Sequence, residues 1–374
     1  MNKNFIAVNT PLLNGNEKKY LDECIDGGWI SSEGPFVKRF EELFAKRVNR
    51  QHGISVCNGT VALELAVKCL DIKEGDEVIM PSFTIISCAA AVIRNGAIPV
   101  FVDSNPVTWN MDIESIEGKI TTKTKAIMVV HIYGLPVDMD PVIQIAKKYG
   151  LLIIEDAAQM HGQNYRGQPC GSFGVVSCFS FYPNKHITTG EGGMVVTNDD
   201  NLAEKLKHFR NLCFIPEQRF IHYDLGWNFR FTNIQAALGL AQLEQLDDFV
   251  IKKRKIGKTY NDLFKDIEGI QLPLEKTDYA DNIYWVYGIV ISASRLINSE
   301  KIMEFLAKEG IGTRPFFYPM HKQPVFKGLS WFKQENLVVS EDLYTYGFYI
   351  PSGLALTQDE QTRVGTALHK ILHK

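Results

Sequence analysis

The sequence predicts an α/β protein of two domains, and three observations carry that reading. Apolar runs alternate with amphipathic helical stretches through the first two-thirds of the chain, the signature of repeated strand–helix units. Several runs are apolar on both faces, as in "KAIMVVHIYG" and "LLIIEDAAQ", which predicts a mostly parallel sheet covered on both sides. At 374 residues the chain exceeds what one core usually organises, so a second domain is expected.

Taken in order, "DEVIMPSF" reads as a strand ending at Pro81, and "AIPVFVD" as one ending at Asp103. "KAIMVVHIYG" ends at Gly134 and "LLIIEDAAQ" at Asp156 to Gln159. Between them, "PVIQIAKKYG" places Val142, Ile145 and Ala146 on one helical face, with Gly150 suited to a C-cap. From about Phe249 the texture changes to a basic helical segment, the run "IYWVYGIVIS" and a helix near Ser299–Glu309. The apolar-aromatic loop "RPFFYPMH" and a closing helix after "LALTQDEQ" follow. The expected division is a large domain over residues 1–248, with the N-terminal segment, and a smaller α+β domain over 249–374.

Composition excludes more than it identifies. A hydrophobic content of 45% with 22% charged residues is ordinary for a globular chain. A formal charge of −3 supplies no basic face for nucleic acid. The run Lys252-Lys253-Arg254-Lys255 reads as a solvated helix face. There is no signal-like apolar segment and no stretch near ~18 apolar residues, so neither a leader nor a membrane span is expected. Seven scattered cysteines form no C-x-x-C pair, which suggests reduced thiols in a cytoplasmic protein and no metal site.

Three stretches carry chemistry. In "SVCNGTVALELAVKCL" a short strand meets Asn58-Gly59-Thr60 and a helix begins; such a start suits a phosphate, or is simply a helix cap. A P-loop is excluded, because the only "GKT", at Gly257-Lys258-Thr259, has Lys252 where the earlier glycine must stand. In "IIEDAAQ", Asp156 ends a buried strand, where ligands of parallel sheets bind. A buried carboxylate there needs a cation, either a salt-bridge partner or a protonated ring nitrogen. In "FSFYPNKHITTGEGG", Lys185 is framed by aromatics and by a turn bearing three glycines, with Ser180 five residues before it. A buried lysine loses pKa and becomes a nucleophile toward carbonyls. Together these features match the needs of pyridoxal 5′-phosphate: a covalent lysine, an acid for the pyridinium nitrogen and a phosphate cup.

On these blocks, and on "GWISSEGPFVKRFEELFA", "GDEVIMPSFT", "VHIYGLPVDMD", "GWNFRFTNIQAALGLAQLE" and "TRPFFYPMH", the chain resembles the DegT-like nucleotide-sugar aminotransferases over essentially its whole length. These are enzymes of fold type I, with the aspartate-aminotransferase architecture. Within the family it is most similar to members that make GDP-linked 4-amino-4,6-dideoxy sugars. The resemblance implies that Lys185 binds the cofactor and shuttles protons, that Asp156 pairs with its ring nitrogen, and that Gln159 faces its ring hydroxyl. Gly59, Thr60 and Ser180 would hold the phosphate, joined by Asn228 from the other subunit of a homodimer. Ile85 stands where relatives often carry an aromatic against the ring. A sister branch that dehydrates sugars bears histidine at the place of Lys185; the lysine here favours transamination.

Arg230 and Arg314 are candidates for the substrate diphosphate or for inter-domain ion pairs. Trp29, Tyr318 and His321 lie in family-like blocks that would line the sugar pocket, and His186 either joins them or packs. The resemblance implies L-glutamate as amino donor and, through the pyridoxamine form, a nucleotide-linked 4-keto-6-deoxy sugar as acceptor, GDP-4-keto-6-deoxymannose first. A UDP- or dTDP-linked sugar aminated at C4 or C3 is the alternative, and a non-catalytic regulator of the same fold the remote one. A product of this kind would suit O-antigen or another surface polysaccharide.

Overall fold

The structure is a computed structural model and describes residues 5–292 and 298–372. Helices α1 (Glu17–Asp26) and α2 (Pro35–Arg47) lead into β1 (His52–Val56) and α3 (Gly59–Cys69). Next come β2 (Glu77–Pro81), α4 (Ile86–Arg94), β3 (Ile98–Val102), β4 (Thr124–Val130), α5 (Met139–Tyr149) and β5 (Leu152–Asp156). A two-residue hairpin, β6 (Asn164–Tyr165) and β7 (Gln168–Pro169), precedes β8 (Val176–Ser180), β9 (Gly193–Thr197) and α6 (Asp200–Arg210). Seven of these strands form one sheet in the order β1-β9-β8-β5-β4-β2-β3. It is mostly parallel, as the apolar runs predict, but β9 lies antiparallel to both β8 and β1. The cause is local: residues 181–192 join β8 to β9 without the crossover helix that a parallel return needs.

Both faces of the sheet are covered. Along β4, Ala126, Met128 and Val130 enter one apolar core while Ile127 and Val129 enter the other, the period-two alternation of a strand. Helices α3, α4 and α6 pack on the first face; α2, α5 and α7 (Asn233–Leu243) pack on the second. Helix α5 buries Met139, Val142 and Ala146 and stops at Gly150, whose φ of +65° makes it the left-handed C-cap.

Helix α8 (Leu246–Phe264) joins two units: Phe249 and Val250 belong to the large core, whereas Ile256, Tyr260 and Phe264 belong to a second. Around that second core stand β10 (Ile270–Gln271), β11 (Tyr287–Ile291), α9 (Ser299–Lys308), β12 (Arg314–Pro315), α10 (Val338–Tyr346), β13 (Gly347–Ile350) and α11 (Gln358–Leu372). Its sheet is antiparallel, in the order β10-β11-β13-β12. The N-terminal segment runs against this smaller unit: Ile6 exchanges backbone hydrogen bonds with Gly310 and Gly312 at 2.9 and 2.8 Å. The basic run of α8 is not wholly solvated, because Lys253 is buried. Among the described residues no helix is long and apolar enough to cross a membrane, no cluster could hold a metal ion, and the cysteines are free thiols.

Candidate active site

A cleft of about 730 Å³ opens at the carboxyl ends of β5 and β8 and is walled on its far side by Trp285, Phe317 and Tyr349. One corner is built by the start of α3. Asn58 is extended and its side chain accepts the Val61 N–H at 3.0 Å, so the helix begins at Gly59 with its positive end toward the cleft. Gly59 presses on Ser180 so closely that a Cβ would lie 2.6 Å from the serine Cβ. Thr60 Oγ1 is 2.8 Å from Ser87 Oγ. Hydroxyls of Thr60, Ser87 and Ser180 and the first N–H groups of an eleven-residue helix thus share one corner, a cradle for an anion.

The floor is set by β5. Asp156 is buried; it accepts the Ala158 N–H at 3.0 Å and the Cys88 thiol at 3.2 Å. Burial still pushes its carboxyl above the ordinary range, with those donors opposing. Such a carboxylate is short of a cation. Gln159 accepts the Tyr133 N–H at 2.6 Å through its carbonyl oxygen, which reserves its NH₂ group as a donor. Tyr133 itself sits at a φ of +56°, a left-handed conformation secured by that bond.

Lys185 lies on the β8–β9 connection, and the threonine–glycine turn explains its setting. Phe181 exchanges backbone bonds with Gly192 and Thr189 at 2.8 and 3.0 Å, while Thr188 Oγ1 donates to the Phe181 carbonyl at 2.8 Å. Gly190 turns at a φ of +80°. The loop therefore folds back on β8 and presents the lysine inward. Its Nζ rests 3.8 Å from the ring centre of Trp285, whose Nε1 donates to the Asn184 carbonyl at 2.7 Å. Burial lowers the amine to about 8, with the nearby Asp156 partly opposing. The free-base fraction that a nucleophile requires is therefore far larger near neutral pH than for an ordinary lysine, though still a minority of the amine.

Gly59, Thr60, Ile85, Asp156, Gln159, Ser180 and Lys185 all line this cleft. Ile85 stands at the N-terminus of α4, 41% exposed. His186 is buried beside Lys185 with Nε2 3.2 Å from the Ile283 carbonyl; burial, and then the charge of Lys253, lower it to about 3. His321 is fixed between Ser82 at 2.7 Å and Glu341 at 3.0 Å. Asn228 and Arg314 are exposed, and Arg230 donates to Asn211 at 2.8 Å. Trp29 is 54% exposed, and Tyr318 packs edge-on against Tyr344. These last seven do not line the cleft of the single chain.

Sequence reasoning passed over Trp285, Tyr182, Asn184, Ser87, Cys88 and Tyr349, each of which lines the cleft or bonds to a residue that does. Trp285 was hidden in "IYWVYGIVIS", which reads as a core strand. Ser87 and Cys88 follow Ile85 closely, and only the turn of α4 reveals which side they face.

The cradle, the under-neutralised carboxylate and the activated lysine surround one space, and together they fit a single cofactor. Asp156 offers the charge that a pyridinium nitrogen lacks, the α3 corner takes a phosphate, and Lys185 reaches a carbonyl between them. A fold and site of this kind define a pyridoxal-phosphate-dependent transferase.

The comparisons narrow the class to a family. Residues 11–369 match the DegT/DnrJ/EryC1/StrS aminotransferase family, and the chain belongs to it. It is 43% identical over 356 residues to the GDP-perosamine synthase of Escherichia coli O157:H7, covering 95% of each chain. It is 36% identical to a UDP-N-acetyl-3-dehydro-alpha-D-glucosamine 3-aminotransferase of Acidithiobacillus ferrooxidans, covering 94% of each. Among solved structures, Helicobacter pylori PseC, an aminotransferase of pseudoaminic acid biosynthesis, superposes with a TM-score of 0.92 at 28% identity, covering 99% of each chain. The protein is a pyridoxal-phosphate-dependent sugar aminotransferase.

Proposed function

We propose that the chain moves an amino group from L-glutamate to C4 of a GDP-linked 4-keto-6-deoxy sugar, GDP-4-keto-6-deoxymannose, giving the 4-amino-4,6-dideoxy product. The observation that carries this reading is near-full-length identity of 43% and 40% to two GDP-perosamine synthases, the second from Caulobacter vibrioides. When bound, pyridoxal 5′-phosphate supplies the electron sink that lets an amine pass between two substrates. The chain's own residues do the rest. Lys185 Nζ takes and returns the proton at the reacting carbon, Asp156 holds negative charge beside the ring nitrogen, and Gln159 donates to the ring oxygen. The α3 corner anchors the phosphate, and Trp285, Phe317 and Tyr349 keep water from the far wall.

The proposed unit is a homodimer in the cytoplasm. Exposed Trp29, Ile30, Phe220, Tyr223 and Leu225 are apolar surface that a second copy would cover, and exposed Asn228, three residues after Leu225, would then reach the partner's phosphate corner. A second substrate reading, amination at C3 of a UDP-linked sugar, is favoured by the Acidithiobacillus relative. Incubation of the cofactor-loaded protein and L-glutamate with a panel of GDP-, UDP- and dTDP-linked 3- and 4-keto sugars separates the two. Mass spectrometry should find the amine on the GDP sugar alone; product only from a UDP sugar would reverse the assignment. Sedimentation of the loaded protein as a monomer would remove the dimer.

A further inference from the structure

Lys185 also lines a second, much smaller cavity, of about 10 Å³, shared with Asn184, His186, Trp285 and, from α8, Lys253. That volume is the space of roughly one water molecule. The polar groups around it are unusual. Lys253 is 2% exposed, yet among the described residues no carboxylate pairs with it. Its amine donates to the carbonyl of Trp285 at 3.0 Å and to that of Ser352. An ammonium carries three N–H groups, so one is left over.

Two further groups are short of a partner. His186 Nε2 meets the Ile283 carbonyl at 3.2 Å, so that nitrogen carries the hydrogen and Nδ1 is an acceptor. Buried His186 Nδ1 and buried Asn184 Oδ1 both lack a hydrogen-bond partner among the described residues. The spare Lys253 donor and two unpaired acceptors therefore stand on residues that line a cavity of one-water size, beside Asn9, whose amide donates to the Asn184 carbonyl at 3.4 Å. Buried polar groups left unpaired cost free energy, and a water with three partners removes that cost.

We propose that this cavity is an internal water site, and that Lys253 is a positioning residue that holds the Lys185 segment through it. The water accepts from Lys253 and donates to His186 Nδ1 and Asn184 Oδ1, the residues on either side of Lys185. A second route runs through Trp285. Lys253 grips its carbonyl, while its indole supports the Lys185 amine and donates to the Asn184 carbonyl. The consequence for Lys185 rests on its reading as the cofactor-linked lysine; the water site does not. Burial lowers Lys253 to about 7; the neutral amine would become a third acceptor around a water that has two hydrogens, so the fully paired site is the one with the ammonium. The titratable groups facing Lys253 are Lys185 and His186, with Arg254 beside it on α8.

Two experiments test this. A crystal structure of the cofactor-loaded protein, at a resolution that resolves ordered solvent, should place one water within hydrogen-bonding distance of Lys253 Nζ, His186 Nδ1 and Asn184 Oδ1. Absent density, or rotamers that pair these atoms directly, overturns the site, whether or not cofactor is bound. In Lys253→Met, the pH midpoint of the cofactor's visible band should shift, because the Trp285 carbonyl and the water that hold the segment around Lys185 lose their donor. Turnover should fall about tenfold with the sugar KM unchanged. Lower thermal stability with both the midpoint and kcat unmoved would reduce Lys253 to a packing role and overturn its positioning. Should Lys253→Met not fold, His186→Phe removes one acceptor, together with the Nε2 bond to Ile283, and should lose the water and shift the midpoint; an unchanged water or an unchanged midpoint would count against the proposal.

Discussion

Glu155 and Asp156 are neighbours on β5, both buried, and they have opposite fates. Strand alternation turns them to different faces of the sheet. Glu155 meets a full set of donors: His131 at 3.1 Å, the N–H groups of Gly171, Phe173 and Gly174, and the Ser177 hydroxyl at 2.9 Å. Burial pushes its carboxyl up, but these bonds outweigh it and hold the group at about 2. Asp156 receives one N–H and one weak thiol, and its carboxyl is raised. The satisfied carboxylate belongs to the fold. The unsatisfied one faces the cleft, where a bound cation would complete it. A buried charge with too few partners is a better guide to this site than burial alone.

The comparison can be broken in several ways. Lys185→Ala should lose at least about 10⁴-fold in turnover, since it removes the nucleophile and the proton carrier together, while circular dichroism stays native. Asp156→Asn should cost roughly 10²–10³-fold in kcat, measured in steady state, because the amide cannot balance a ring cation. Its unfolding midpoint in urea should change little, as a poorly paired buried charge has gone. Glu155→Gln should do the reverse, losing about 3–5 kcal/mol in the same urea titration with cofactor binding spared in the fraction that folds. Equal stability loss at both positions would erase the distinction.

A smaller effect follows from pH. A depressed carboxyl contributes stability that is complete above its unfolded pKa of roughly 4.3 and is lost as pH falls through its folded value of about 2. Wild-type stability should therefore decline through that acid window, and Glu155→Gln should flatten the decline. For Lys185 the sign is opposite in origin: its amine is freed as pH rises through about 8. The rate at which cofactor-free protein captures pyridoxal phosphate should climb to a plateau above that value. The smallest change is Gly59→Ala, whose methyl meets Ser180 and should weaken cofactor binding about tenfold by equilibrium titration.

Much of this was legible in the sequence. The apolar runs announced the sheet, and Asp156, Gln159 and Lys185 stand out because strand ends and glycine turns are local signals. The reversal of β9 was not legible, since "MVVTND" reads the same in either direction and only the helix-free connection decides. Nor was the company of Lys185: Trp285 lies 100 residues on, and long-range pairing leaves no mark in a local pattern. Lys253 was misread for a related reason. In a run of four basic residues, one helical turn decides which one points inward, and composition says nothing about it.

The central claim is that Lys185 is the residue joined to the cofactor. The direct test is borohydride reduction of the pyridoxal-phosphate-loaded protein, followed by peptide mapping with mass spectrometry. The account predicts one modified peptide, containing Lys185, and none in Lys185→Ala. A stable adduct on another lysine, with the Lys185 peptide unmodified, would contradict it.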